Sequence, residues 1–176
     1  IKTRKSNLKE TKERKISFSE LKTWNECTHK HKLVYIDKLP HFSANEFTAF
    51  GTAVHAVCEE IVPAPSLGPK VESIFEEKFN DEILSLVTDG HILNKKLISD
   101  MRPQGAAIVK EILPALENHF GEFEVFSVEE ALLEEIKEFN SYKKRFKGFI
   151  DLVIKKGEDY HIIDWKTCTW GWDSRK

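Results

Sequence analysis

Asp151, Asp164 and Lys166 are the residues of this chain whose types and spacing could do chemistry together. Each aspartate follows an isoleucine inside an apolar run, GFIDLVI and YHIIDWKT, and the two runs flank the turn residues Lys156-Gly157-Glu158-Asp159. That pattern predicts a β-hairpin. Gly157 suits the first central position of a type II′ turn, whose twist matches the strands beside it. With Gly157 and Glu158 central, Lys155 faces Tyr160, Val153 faces Ile162 and Asp151 faces Asp164. Lys166 lies on the face of Asp164, because side chains alternate along a strand. Leu152, Ile154 and Ile163 point the other way. Like charges directly opposite on a sheet are destabilising. A divalent cation between the carboxylates would reverse the sign of that term, since hard cations take oxygen ligands. The plainer alternative is that Lys166 and other basic residues neutralise two ordinary surface acids. D-x-K alone is a weak signal, and the second Asp at the matching cross-strand position gives it weight.

Several elements must position this group. Ser17 and Glu20 have the spacing of a capping box and open a helix carrying Leu21, Trp24 and Cys27. A second helix is expected from Phe47 to Val62, with Phe50, Val54, Val57 and Ile61 on its buried face. On it His55 and Glu59 stand one above the other, and Gly51 leaves room for close approach by another backbone or a substrate. By pattern alone a lone helical histidine is ordinarily a core or surface residue. Pro63 to Pro69 is a turn-rich connector. Helices follow over 71–87, with Ile74, Phe75, Ile83, Leu84 and Val87 apolar, over 92–101, and from Pro103 to Phe120, with Pro114 kinking the last. A strand over 123–136 precedes the hairpin. It carries Glu130, by pattern one of several solvated acids.

At 176 residues the chain is expected to form one domain with a proper core. Its 40% hydrophobic and 32% charged content is that of a soluble globular protein. No apolar run approaches the ~20 residues needed to span a bilayer, so no membrane is implicated. No signal peptide is visible in a sequence that opens on Ile1. The net charge of −2 does not announce a nucleic-acid binder, yet residues 1–15 hold seven Lys or Arg against two Glu. Such a basic arm could touch a phosphate backbone, but a solvated terminus explains each residue in it as well. Cys27, Cys58 and Cys168 are scattered without a C-x-x-C pair, which argues against a zinc site. Free thiols of this kind suit an intracellular, reducing compartment.

GFIDLV followed by IIDWKT resembles the PD-(D/E)XK nuclease superfamily, in the RecB-like branch that reads G-x-[IV]-D and then D-[YW]-K-[TS]. SFSELKTWNEC and FGTAVHAVCEE stand upstream in that branch's order, so the resemblance spans Ser17 to Thr167. It implies an α/β, restriction-endonuclease-like core of a helix and a three-stranded antiparallel meander. The nuclease domain would run over 16–176 after a basic arm at 1–15, with a helical insertion at 63–120. The expected activity is metal-dependent hydrolysis of DNA phosphodiesters, an exonuclease rather than an endonuclease, in processing, recombination or repair. The alternative is a catalytically silent nuclease-fold module that binds DNA or acts as a scaffold.

The resemblance makes Asp151, Asp164 and Lys166 catalytic. It makes His55, Asp151, Asp164 and the Trp165 carbonyl ligands of Mg²⁺ or Mn²⁺, with Glu59 and Glu130 as further candidates. The first helix would flank the DNA and Thr167 would contact a phosphate. Trp170 and Trp172 would stack on bases or anchor the helix with Q-x-x-x-Y that such enzymes continue into. That helix and the strand after it do not follow Lys166, so the C-terminal part of the core is expected to be missing. Some relatives hold an iron–sulfur cluster on one early and three late cysteines. Only Cys27 has a counterpart here, so no cluster is expected. The cytoplasm of a bacterium, or of a host cell if the source is viral, is the implied location. A helicase or another replication or recombination protein is the implied partner.

Overall fold

In the computed structural model the described residues are 14–39, 43–135 and 144–168. Four strands form one mixed sheet: β1 (Arg14–Ser17), β2 (Glu124–Glu135), β3 (Lys144–Lys156) and β4 (Asp159–Ile163). The long β3 pairs with each of the other three. The sequence led us to expect three antiparallel strands, and the fourth is a correction. β1 lies parallel to the start of β3 with Lys15 opposite Arg145 and Ser17 opposite Lys147. Four residues with two lysine-type charges give no alternation to read, so only tertiary pairing reveals it. The hairpin has the expected register over the paired residues, Leu152 with Ile163, Val153 with Ile162 and Lys155 with Tyr160. The ladder ends at the pair of Leu152 and Ile163, so the expected pairing of Asp151 with Asp164 is not part of it. Gly157 alone of its turn has positive φ, at 60°, as a type II′ turn requires.

The described residues fall into two compact units. The first holds β1, helices α1 (Phe18–Glu26) and α2 (Thr28–His31), a π-helical stretch Lys32–Ile36, and residues 131–135 and 144–149. Ser17 accepts from the Glu20 backbone N–H, as the N-cap reading expects. The Glu20 carboxylate, however, turns inward to His31 Nε2 at 3.0 Å. Phe18, Leu21 and Trp24 are exposed, so α1 does not bury an apolar face among the described residues.

The second unit contains the apolar core. Helix α3 (Glu46–Ile61) is capped by Asn45 and Thr48 in reciprocal bonds, and Phe50, Ala53, Val54, Val57 and Ile61 are buried along one face. Helix α4 (Val71–Thr88) buries Val71, Phe75, Phe79 and Leu86. Leu84 and Val87 are exposed, contrary to expectation. At about 100° per residue, Leu84 lies half a turn from Phe75 whereas Leu86 lies almost over it. Phe50, Phe75 and Phe79 meet with ring centroids 5.5–5.8 Å apart. Each buried phenylalanine contributes about 1.5–3 kcal/mol.

Two further helices were expected before the sheet, broken near Pro103. Instead α5 runs unbroken from Lys95 to Phe120 with Pro103 and Pro114 inside it. Each interior proline costs roughly 3 kcal/mol. The buried row Ile98, Met101, Gly105, Val109, Ile112 and Leu116 keeps helical spacing across both prolines and outweighs that cost. At Gly105 a Cβ would stand 1.9 Å from the Phe75 ring, so only glycine lets α5 and α4 approach this closely. No helix among the described residues is long and apolar enough to cross a membrane.

Candidate active site

The candidate site lies in the second unit, where the hairpin meets α3. Alternation on β3 puts Leu152 and Ile154 into the core and turns Asp151 the other way. Asp151 is nonetheless only 13% exposed, because its carboxylate has two neighbours. The backbone N–H of Trp165 donates to its Oδ2 at 2.7 Å. His55 Nδ1 stands 3.6 Å from the same oxygen, too long for a hydrogen bond.

Asp164 follows directly after β4. Its Oδ1 accepts from Lys166 Nζ at 2.5 Å, and the same ammonium reaches the Trp165 carbonyl at 3.3 Å. Lys166 therefore spans both acceptors that the resemblance assigns to a metal. Thr167 continues toward α3. A Cβ at Gly51 would lie 3.1 Å from Thr167 Oγ1, so the room left by Gly51 is filled by this threonine.

One turn beyond His55, Glu59 is held above the usual carboxylate range. Burial is the largest cause, followed by the charge of Glu129 and a side-chain hydrogen bond to it. Asp151 adds to the effect and His55 opposes it. Glu129 is the residue sequence reasoning passed over in favour of Glu130, which is exposed and has no ion pair among the described residues. Val125 and Val128 both pack on the core, an odd spacing that breaks the period of two, and Glu129 has φ of 49°. These are the marks of a β-bulge, which re-aims one side chain. Cys58, buried beside this group, has its thiol pushed up to about 12, chiefly by burial.

The donor chemistry suits a hard divalent cation: carboxylates from Asp151 and Asp164, one carbonyl and one imidazole. Two ligands on one ion lie roughly 3.0–3.5 Å apart for bonds of about 2.1 Å, close to the 3.6 Å between His55 and Asp151. The pair fits, but among the described residues no three His, Cys, Asp or Glu side chains converge on one point. Asp164 is drawn toward Lys166 instead. Trp170 and Trp172 lie outside the described residues.

No curated protein and no solved structure matches the chain. The family model described as the PD-(D/E)XK nuclease superfamily matches residues 15–173. That span takes in the helix with His55, the hairpin with both aspartates, and Lys166. Members of this superfamily are usually nucleases that depend on divalent metals. By this match the chain belongs to the PD-(D/E)XK nuclease superfamily.

Proposed function

We propose that the chain is a RecB-like, Mg²⁺- or Mn²⁺-dependent deoxyribonuclease, an exonuclease acting in DNA processing, recombination or repair. The observation that carries the reading is the shared Oδ2 of Asp151, where the Trp165 N–H and the His55 imidazole meet. It ties the strand bearing one aspartate to the chain bearing the other, as a site assembled from G-x-[IV]-D and D-[YW]-K requires.

His55, Asp151, Asp164 and the Trp165 carbonyl would hold the cation. When bound, it would polarise a phosphate oxygen and lower the pKa of a coordinated water. Lys166 is tethered to Asp164, and its ammonium either orients the attacking water or stabilises charge on the phosphate. Thr167, which lies against Gly51, would contact the adjacent phosphate. Glu59 and Glu129 flank the histidine side and keep their carboxyls close to one another.

The test is digestion of end-labelled linear, circular and single-stranded DNA with Mg²⁺ or Mn²⁺. Loss of label from linear DNA with circles untouched supports the exonuclease. Cut circles point to an endonuclease. Metal binding without cleavage of any substrate would leave the silent DNA-binding module as the reading.

A further inference from the structure

Charge is divided unevenly between the two units. Among the described residues of the first, Lys and Arg outnumber Asp and Glu nine to five, whereas in the second the acids outnumber the bases twenty to nine. Three of the nine cations share one face of the sheet. Lys15 is the direct partner of Arg145 on the β1–β3 ladder, and Ser17 is the partner of Lys147. Paired residues share a face, and Phe149 follows Lys147 on it by alternation. Lys15, Lys147 and Phe149 are exposed, the last at 66%. Arg145 is half-buried, with Glu135 3.8 Å away. Neither Lys15 nor Lys147 has a carboxylate partner among the described residues.

A cation placed directly across a ladder from another cation is destabilising. Glu135 offsets part of that penalty at Arg145, whereas Lys15 and Lys147 have no carboxylate partner among the described residues, and phosphates fit such a row of ammonium and guanidinium groups. The aromatic ring at the end of the row adds a second requirement. Phosphates do not use an exposed phenyl ring, but an unpaired base stacks on one. We infer that the face formed by Lys15, Arg145, Lys147 and Phe149 binds a single strand of nucleic acid, phosphates on the cations and a base against Phe149. This is a surface for holding a strand, separate from the residues proposed to cut it. It rests on the nuclease reading only for the expectation that the polyanion is a nucleic acid.

The experiment is fluorescence anisotropy of labelled oligo-dT, and of a fully paired duplex of equal length, with the whole chain in EDTA so that nothing is cleaved. The parent should bind oligo-dT with a log–log salt slope of about −2 for three cations, at roughly −0.7 per phosphate contact on a single strand. Lys15→Gln with Lys147→Gln should weaken binding about tenfold or more at low salt and bring the slope to about −0.7. Phe149→Ala should weaken oligo-dT about fivefold or more while changing duplex binding little, and Phe149→Tyr should restore it. Variants whose melting temperatures match the parent but whose affinity is also unchanged would overturn the inference. So would competition by polyglutamate as effective as by oligo-dT, which would assign the face to an acidic protein. Binding is read without metal, so a chain that binds but never cleaves counts against the nuclease reading alone. A chain that cleaves while its face variants bind like the parent counts against this face alone.

Discussion

Trp165 donates its backbone N–H to Oδ2 of Asp151 at 2.7 Å, so the first aspartate of the site holds the stretch that carries the second. Asp151 thus has a structural task as well as a chemical one, and two substitutions separate them. Asp151→Asn keeps an oxygen for the N–H but removes the charge facing His55. It should fold normally and lose metal binding and cleavage. Asp151→Ala leaves the N–H unpaired and should cost a further 1–3 kcal/mol or so in urea denaturation. Equal stability of the two variants would show that the bond does not hold the loop.

Lys166 is the residue whose role can be separated from metal binding. Lys166→Ala frees Asp164 from its ammonium, so Mn²⁺ affinity by calorimetry should be equal or slightly better. Cleavage should nevertheless fall by about 10²–10³-fold, as for loss of a transition-state electrostatic contact. Asp164→Asn should weaken both together. His55→Ala should give a partial metal defect and a shifted preference between Mn²⁺ and Mg²⁺. Parental cleavage by Lys166→Ala with metal binding intact would refute the assignment.

The raised Glu59 carboxyl predicts a pH dependence of stability. The folded chain binds this proton more tightly than the unfolded chain, whose carboxyl titrates near 4.5. Between that value and the higher folded one, the folded state holds more protons. The contribution to stability is therefore full below pH 4.5 and is lost as pH rises through the folded value. Glu59→Gln mimics the protonated form at every pH. Its melting temperature should equal the parent's near pH 4 and exceed it at pH 8. The same difference at both pH values would sink this prediction.

Gly105→Ala should destabilise even though alanine is the better helix former by about 1 kcal/mol. The new methyl would sit inside the ring of Phe75, and overpacking of this kind costs typically 1–3 kcal/mol. Combined with Phe75→Leu, the loss should be smaller than the sum of the two single losses. Additive losses in denaturation curves would mean that α4 and α5 do not meet there.

Legibility in the sequence followed the range of the interaction. The hairpin register is local, set by Gly157 and by the alternation of Leu152, Ile154 and Ile163, and it could be read directly. The α3 face was equally plain, since Phe50, Val54, Val57 and Ile61 keep one period. β1 could not be read, because its partner lies 130 residues away and its own residues carry no pattern. Glu129 escaped for a related reason. Sequence cannot say at which of two adjacent glutamates the strand will break its alternation, and the break comes at Glu129, whose φ is 49°. At Pro103 the local rule was sound, but the continuous buried row of α5 overrode it.

The protonation of Cys58 also has a consequence for the bench. A thiol buried among apolar groups and ionising only near pH 12 presents almost no thiolate to an alkylating reagent. Cys27 and Cys168 are exposed and remain open to one. With Cys27→Ser, maleimide chemistry on the native protein should deliver one dye per chain, at Cys168. That position is two residues beyond Lys166, so the fluorophore would report on arrival of an ion without any change to the residues proposed to bind it.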